Sequence, residues 1–359
     1  MADIHDVAKL AGVSIKTVSR VINHEQGVRE ITRARVQKAI DKLQYTPHIG
    51  ARLMRSSKSN LIGLISSTIS TVSRDPVKSG LSSIHIVSGI QQYCRKANKT
   101  LLIIDTEPDE EDIKSSIDIF RSHQVEGIFH ILNYHHQVSP LQYSDTPFWI
   151  VNGYSNSQTA AVVPDDYHGQ KLAVEYLLQQ GHTRIGYIGL STSIEAGKLR
   201  LKGFQETIQQ YDLPYDLMLT ELGIKNASDN SFSLLHEALD KLLKHASPPT
   251  AICFGNDEMA LQAIPILEKR GLNIPDDISI MGYDNDFATA AAARPKLTTV
   301  SLPYQRMGQI AAENLLRQLQ DPDAESKFED YPIKVKGEVV VRESVRALSS
   351  IKIASKKII

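Results

Sequence analysis

The sequence holds two cysteines and one tryptophan in 359 residues, aromatic residues make up 6%, and the formal net charge is −1. Cys94 and Cys253 lie far apart with no metal-ligand spacing. That excludes a disulfide framework and a cysteine-based metal centre, and predicts two small core side chains. No stretch approaches the roughly 20 apolar residues of a membrane-spanning helix, and the N-terminus lacks a signal peptide's apolar region, so a cytoplasmic protein with no membrane partner is expected. Catalytic signatures are missing too. "GYIGLSTSIEAG" lacks the G-x-G-x-x-G turn, and there is no P-loop. "YHH", Tyr134 to His136, has no further ligands nearby and reads as a solvated loop. Neither a metal, a cofactor nor an enzyme is therefore expected. With 42% hydrophobic residues the chain can bury more than one core, and two or three domains follow.

What is present begins with "DVAKLAGVSIKTVSRVIN", Asp6 to Asn23. Ile4, Val7, Ala8 and Ala11 fall on one helix face, and Val18, Val21 and Ile22 begin a second apolar stripe. Between them Gly12 can adopt the left-handed conformation that ends a helix, and Ser14 can cap the next. A third stripe, Val36, Ala39, Ile40 and Leu43, ends at Tyr45, Thr46 and Pro47. The second helix leaves Ile15, Lys16, Ser19 and Arg20 off its apolar face, a mixture suited to phosphates and base edges in a major groove. The same pattern also fits a small helical core whose surface happens to be basic.

Charge separates these readings. Residues 1–58 carry 11 Lys and Arg against 5 Asp and Glu, a net of +6, leaving −7 for the remainder. The near-neutral total hides a basic end of the kind that phosphate binding requires.

Together with "TRARVQKAIDKLQYTP" and "ARLMR", this opening stretch resembles the lactose and galactose repressor (LacI/GalR) family of bacterial transcription regulators. The resemblance implies that the second helix enters the major groove, with Ile15, Lys16 and Arg20 at base-reading positions and Arg20 placed for a bidentate contact to guanine. It gives a DNA-facing set of Ile15, Lys16, Thr17, Ser19, Arg20 and Asn23, joined in the hinge by Ala51, Leu53, Met54 and Arg55. Composition alone makes Thr46 to Asn60 a flexible linker. The resemblance instead implies a hinge helix that forms on operator DNA and wedges an apolar side chain into the minor groove, with Met54 at the usual leucine position. His48 replaces the usual asparagine and Gly50 the usual alanine; the glycine lowers helix propensity by roughly 1 kcal/mol.

From Asn60 onward, apolar runs alternate with amphipathic stretches such as "GQKLAVEYLLQQGH". The strand candidates are "NLIGLI", "TLLIID", "VEGIFHIL", "PFWIVNG", "RIGYIGL", "AICFGND", "ISIMGYD" and "LTTVSLP". This βαβ rhythm predicts an α/β fold with parallel sheets covered by helices, and its length favours two lobes. The resemblance implies a periplasmic-binding-protein-like fold with three crossovers between lobes. The expected domains are a three-helix helix-turn-helix domain over 1–46, a hinge over 47–59, a two-lobed effector-binding and dimerisation domain over 60–345, and a short tail over 346–359.

Open parallel sheets bind ligands beyond the carboxyl ends of their strands. Asn152 follows "PFWIV", Asn256 and Asp257 end "AICFGND", Asp284 ends "ISIMGYD", and Arg200 in "RLKGF" begins the helix after "RIGYIGL". Asn and Asp also cap helices at such positions. As a set, however, they offer donors and acceptors to vicinal hydroxyls. The resemblance assigns Arg200, Asn256, Asp284 and Asn152 to effector binding. Where many relatives stack an aromatic on the ligand, "SSTISTVSRDPVKSGL" carries Arg74 and Asp75. The expected function is a sequence-specific regulator, most simply a repressor, that binds a pseudo-palindromic double-stranded operator as a homodimer. A small carbohydrate-like effector controls its affinity, with a purine or nucleoside as the alternative. A sugar-binding receptor shares the cleft but has no use for a helix-turn-helix. The final 14 residues, "RALSSIKIASKKII", are too short for a stable coiled coil, which points to a dimer without a tetramer-forming tail.

Overall fold

The computed structural model describes residues 2–22, 25–45, 59–67, 81–106, 109–132, 135–139, 146–155, 159–213, 219–225, 232–321 and 332–348. The chain divides into two compact units, Met1–Ser59 and Asn60–Ile359. Asn23, Ala51, Leu53, Met54, Arg55, Arg74, Asp75 and most of the expected hinge and tail lie outside the described residues.

The first unit contains α1 (Ile4–Ala11), α2 (Ile15–Ile22) and α3 (Glu30–Leu43). Asp3 and Asp6 form a reciprocal capping box that opens α1, and Gly12 closes it at φ 60°, the left-handed conformation that glycine adopts without steric cost. Ser14 Oγ accepts the Thr17 amide at 3.2 Å and caps α2. Val7, Ala11, Val18, Val21, Val36 and Tyr45 are among the side chains that fill the small core. One side of each helix is thereby committed to packing, so the opposite side of α2 is available for recognition.

The second unit contains two six-stranded sheets. The first takes β1 (Leu61–Ser66), β2 (Thr100–Asp105), β3 (Ile128–Ile131), β4 (Phe148–Val151), β5 (Ala160–Pro164) and β11 (Ile333–Val335) in the order β2-β1-β3-β4-β5-β11. The second takes β6 (Ile185–Gly189), β7 (Thr220–Leu222), β8 (Ala251–Phe254), β9 (Ser279–Asp284), β10 (Thr298–Ser301) and β12 (Val339–Val340) in the order β7-β6-β8-β9-β10-β12. Both sheets therefore repeat one doubly wound order. Pairing is parallel except for β10 with β12. The near-continuous burial of β3, β6 and β8 is what sheets covered on both faces demand.

Helices α4 (Leu81–Lys96), α5 (Glu110–Ser122) and α11 (Tyr304–Gln320) cover the first sheet, while α6 (Asp166–Gln179), α7 (Glu195–Gln210), α8 (Leu235–Leu243) and α9 (Asp257–Lys269) cover the second. A helical turn, α10 (Phe287–Ala290), follows β9. Ile62, Leu64, Phe129 and Trp149 pack with Ile86, Ile90 and Leu315 in one lobe. Tyr187, Phe204, Met281 and Tyr283 pack with Val174 and Leu177 in the other. Cys94 and Cys253 are fully buried, and burial pushes their thiols up to about 11 and about 12, so both act as core side chains.

The chain passes between lobes three times, at β5 to α6, at β10 to α11 and at β11 to β12. The segment expected to start the tail is docked at its beginning. The Arg346 amide donates to Ser279 Oγ at 3.1 Å, and the Leu348 amide donates to the Gln180 carbonyl at 2.8 Å.

Candidate functional site

On the first unit, Lys16 and Arg20 are exposed on the outer face of α2, whereas Thr17 and Ser19 are half-buried beside them. Arg20 retains 45% of its side-chain exposure, and its Nε lies 3.7 Å from the Glu25 carboxylate, so its guanidinium remains accessible. Ile15, expected off the apolar face of α2, is only half-exposed. It packs partly against the small core, because the first residue of an eight-residue helix sits beside the turn that joins α1.

In the second unit, parallel pairing places the ends of β6, β8 and β9 on one rim, and the order changes direction between β6 and β8. Such a switch point opens a crevice. Arg200 projects into this region from the second turn of α7, one turn later than the helix start expected for it. Its Nε donates to Asp166 Oδ1 at 2.8 Å, and its Nη1 donates to the Gly255 carbonyl at 2.5 Å and approaches Asp284 Oδ1 at 3.4 Å. The guanidinium carbon lies 3.8 Å from the centre of the Tyr283 ring, a cation–π arrangement. Gly169 permits this packing: a Cβ there would sit 2.1 Å from the Tyr283 hydroxyl.

The electrostatics follow from burial. Asp166 is fully buried, which disfavours its charge, but the adjacent Arg200 and the hydrogen bonds from His135 and Arg200 outweigh that cost and hold its pKa below the ordinary carboxylate value. Asp284 shows the opposite balance. Burial, only partly offset by Arg200 and reinforced by Asp166 and Asp286, raises it to about 7, although 27% of its side chain remains exposed. A carboxyl group poised there can both donate to and accept from a ligand near neutrality.

Asp284 has φ 118°, a conformation that side-chain-bearing residues rarely adopt, and Asn285 follows at φ 53°. The turn is held from several sides. Asp257 accepts the Asp286 amide at 2.9 Å and the Thr299 hydroxyl at 2.5 Å, and Arg342 donates to Asn285 Oδ1 at 2.7 Å.

The four residues expected to face an effector thus meet different fates. Arg200 and Asp284 touch each other. Asn256 joins them through its neighbour Gly255, but its own Oδ1 accepts the Met259 amide at 2.9 Å and caps α9. Asn152 lies on the rim of the other sheet at φ 66°, where its Nδ2 donates to the Leu132 carbonyl at 2.9 Å; it caps no helix.

The expectation of a solvated YHH loop is corrected at His135, which is 5% exposed and whose Nδ1 lies 2.7 Å from Asp166 Oδ2. Its partner Asp166 lies 31 residues further along the chain, so the sequence around His135 gave no sign of it. Asp166, Tyr283 and His135 were not anticipated as site residues. The acidic pair Asp165–Asp166 directly after the apolar run of β5 is the signal that was present: Asp165 caps α6 through the His168 amide, which frees Asp166 to turn inward. Among the described residues no cluster of His, Cys, Asp and Glu is arranged to hold a metal, and no helix is long and apolar enough to cross a membrane.

Residues 3–48 match the family model for bacterial regulatory proteins of the lacI family, and residues 174–345 match the periplasmic binding protein-like domain. The HTH-type transcriptional repressor PurR of Aliivibrio salmonicida is 33% identical over 353 residues, covering 97% of this chain and all of that protein. PurR of Vibrio atlanticus is 31% identical with the same coverage. A LacI-family regulator structure from Rhizobium etli matches with a TM-score of 0.70 and 31% identity, over 80% of this chain and all of that one. The lac repressor dimer bound to operator and the anti-inducer ONPF shares the fold, with a TM-score of 0.77 at 23% identity over 96% of this chain and 99% of its own.

Proposed function

Because the chain belongs to the lacI family of bacterial regulatory proteins and is a DNA-binding transcriptional repressor, we propose that a small polar effector bound between its two lobes sets its operator affinity. The observation that carries this reading is Arg200, clamped between Asp166 and Asp284 over the Tyr283 ring at the carboxyl-end rim. A guanidinium and a carboxyl group with a pKa of about 7 offer directed donors and acceptors to vicinal hydroxyls, which supports a carbohydrate-like effector. Asn256 and Asn152 complete the binding set. A purine or nucleoside is the second reading. It is favoured because the relatives that are 31–33% identical over nearly all of both chains are named PurR, whereas a regulator from Enterococcus faecium with bound ribose is 24% identical, as is the regulator CelR in complex with cellobiose.

For DNA, Ile15, Lys16 and Arg20 are at the base-reading positions, Thr17, Ser19 and Asn23 join them on the DNA-facing side, and in the hinge Ala51, Leu53, Met54 and Arg55 contact DNA, with Met54 as the minor-groove wedge. A homodimer presents two such helices to a pseudo-palindrome. An effector that binds open and closed lobes unequally shifts operator affinity by that difference and by no more. The test is calorimetric titration of the full-length protein with ribose, cellobiose, hypoxanthine and guanine, repeated with Arg200→Ala and Asp284→Ala. One of these compounds is expected to bind the parent protein at least tenfold more tightly than either variant. Equal affinity in all three proteins would remove Arg200 and Asp284 from the site.

A further inference from the structure

His135 is fixed to the first lobe by its neighbours. The Tyr154 amide donates to the His136 carbonyl at 3.2 Å and the Val138 amide donates to the Tyr154 carbonyl at 2.9 Å, so the segment lies against the strand extension beyond β4. The His135 ring meets the Tyr154 ring edge-on, with centroids 5.9 Å apart. From this anchored position the residue reaches the other lobe twice. Its Nδ1 pairs with Asp166 Oδ2 at 2.7 Å, and its carbonyl accepts the Ala196 amide at 3.4 Å. Ala196 is the second residue of α7, whose N-cap Ile194 supplies no side-chain acceptor, so the His135 carbonyl serves an otherwise orphaned amide of the helix that carries Arg200. The other oxygen of the same Asp166 carboxylate holds Arg200 Nε.

We propose that His135 is a positioning residue that couples the effector site to lobe closure. Asp166 is shared: one oxygen sets the guanidinium, and the other is gripped from the opposite lobe. Separation of the lobes withdraws the imidazole from Asp166, which is fully buried in the present arrangement, and so removes one of the carboxylate's two side-chain partners; the closed arrangement and the set position of Arg200 are therefore favoured together. An effector that engages Arg200 therefore binds the arrangement in which His135 is engaged, and its apparent affinity is reduced by the fraction of molecules in which it is not. This coupling rests on the reading of Arg200 as an effector-binding residue. The contacts between His135, Asp166 and Ala196 exist independently of it.

The test uses the full chain with spin labels at Glu111→Cys on α5 and Lys269→Cys on α9, both exposed positions on opposite lobes. Cys94 and Cys253 are 0% and 1% exposed and escape labelling. Interlobe distances are measured by pulsed electron resonance for the parent, His135→Leu and His135→Asn, where leucine keeps the volume without a donor and asparagine keeps a donor near Nδ1. Hypoxanthine and ribose are titrated into each, and thermal unfolding confirms that each is folded. His135→Leu is expected to show a longer-distance population absent from the parent, and at least tenfold weaker affinity for whichever compound the parent binds. His135→Asn is expected to restore both. Identical distance distributions in the folded parent and leucine variant would overturn the coupling and leave His135 as packing alone. If the leucine variant opens yet neither compound binds the parent, the coupling of the lobes stands and the choice of effector class fails.

Discussion

The outer face of α2 and the Arg200 cluster both concentrate charge, but they hold it in opposite ways. On α2, Lys16 and Arg20 stand in solvent, and the nearest acid to Arg20 is 3.7 Å away on an exposed side chain. Such pairs contribute at most about 1 kcal/mol to stability. Around Arg200, the residue is 4% exposed and Asp166 is 0% exposed; the two hold each other, and the Gly255 carbonyl and His135 hold them in turn. Removing one partner from such a group leaves another charge buried, at a cost on the order of 3–5 kcal/mol. The α2 face holds its charges loosely and within reach of solvent, whereas the Arg200 cluster fixes them in one buried arrangement.

The largest expected effect breaks the buried side. Arg200→Ala should lower the unfolding temperature and abolish effector binding together, because Asp166 and Asp284 lose their shared cation. Differential scanning calorimetry beside ligand titration reads both. An unfolding temperature within 1–2 °C of the parent would show that the cluster is solvated instead, since ~1 kcal/mol moves the midpoint of a large domain by roughly 2–4 °C.

Arg20→Ala addresses the exposed side. The unfolding temperature should be unchanged, while operator affinity should fall by roughly 1–3 kcal/mol at the base pair it reads. Footprinting on operators varied at single positions checks this. A loss of stability without a loss of discrimination would erase the contrast between the two sites.

Asp284→Asn sharpens the comparison through pH. The Asp284 carboxyl has its pKa raised to about 7 from an ordinary value near 4, so the folded protein binds its proton more tightly than the unfolded chain does. Its contribution to stability is greatest below pH 4 and is lost as pH rises through about 7. The asparagine variant should therefore gain a few degrees relative to the parent on going from pH 5 to pH 8. Parallel melting curves across that range would exclude a strongly raised carboxyl.

The smallest effect lies in the first lobe, where His130 is 4% exposed, its Nδ1 has no hydrogen-bond partner, and burial assisted by His136 lowers it to about 4. Its neutral form is favoured by the fold. That stability is present above pH 6.5 and is lost as pH falls towards 4. His130→Leu should lose less of its unfolding temperature between pH 7 and pH 5 than the parent does. An equal loss would assign the acid sensitivity elsewhere.

The sequence made much of this architecture legible because buried parallel strands are continuous apolar runs. All eight strand candidates correspond to strands, from β1 at "NLIGLI" to β10 at "LTTVSLP". Those overlooked were short or weakly apolar: β5 ends in Pro164, β7 is Thr220–Leu222, and β11 and β12 are three and two residues long. Their pairing is decided by neighbouring strands and by the lobe crossovers rather than by local pattern. The place of Asp284 at a strand end was legible from the apolar run before it, and that of Arg200 on the helix after β6 was legible to within one turn. His135 and Asp166 were not, because their meaning lies in a 2.7 Å contact across 31 residues and two lobes.

The most direct test of the account is operator affinity in the presence and absence of effector, measured by fluorescence anisotropy on a duplex recovered from randomised sequences. The recovered duplex should be pseudo-palindromic, and its affinity for the full-length protein should fall steeply as salt rises. Whichever of ribose, cellobiose, hypoxanthine or guanine binds the protein should change operator affinity at least tenfold in the parent and leave Arg200→Ala unchanged. A tenfold change of the same sign in both proteins would contradict control through the Arg200 cluster.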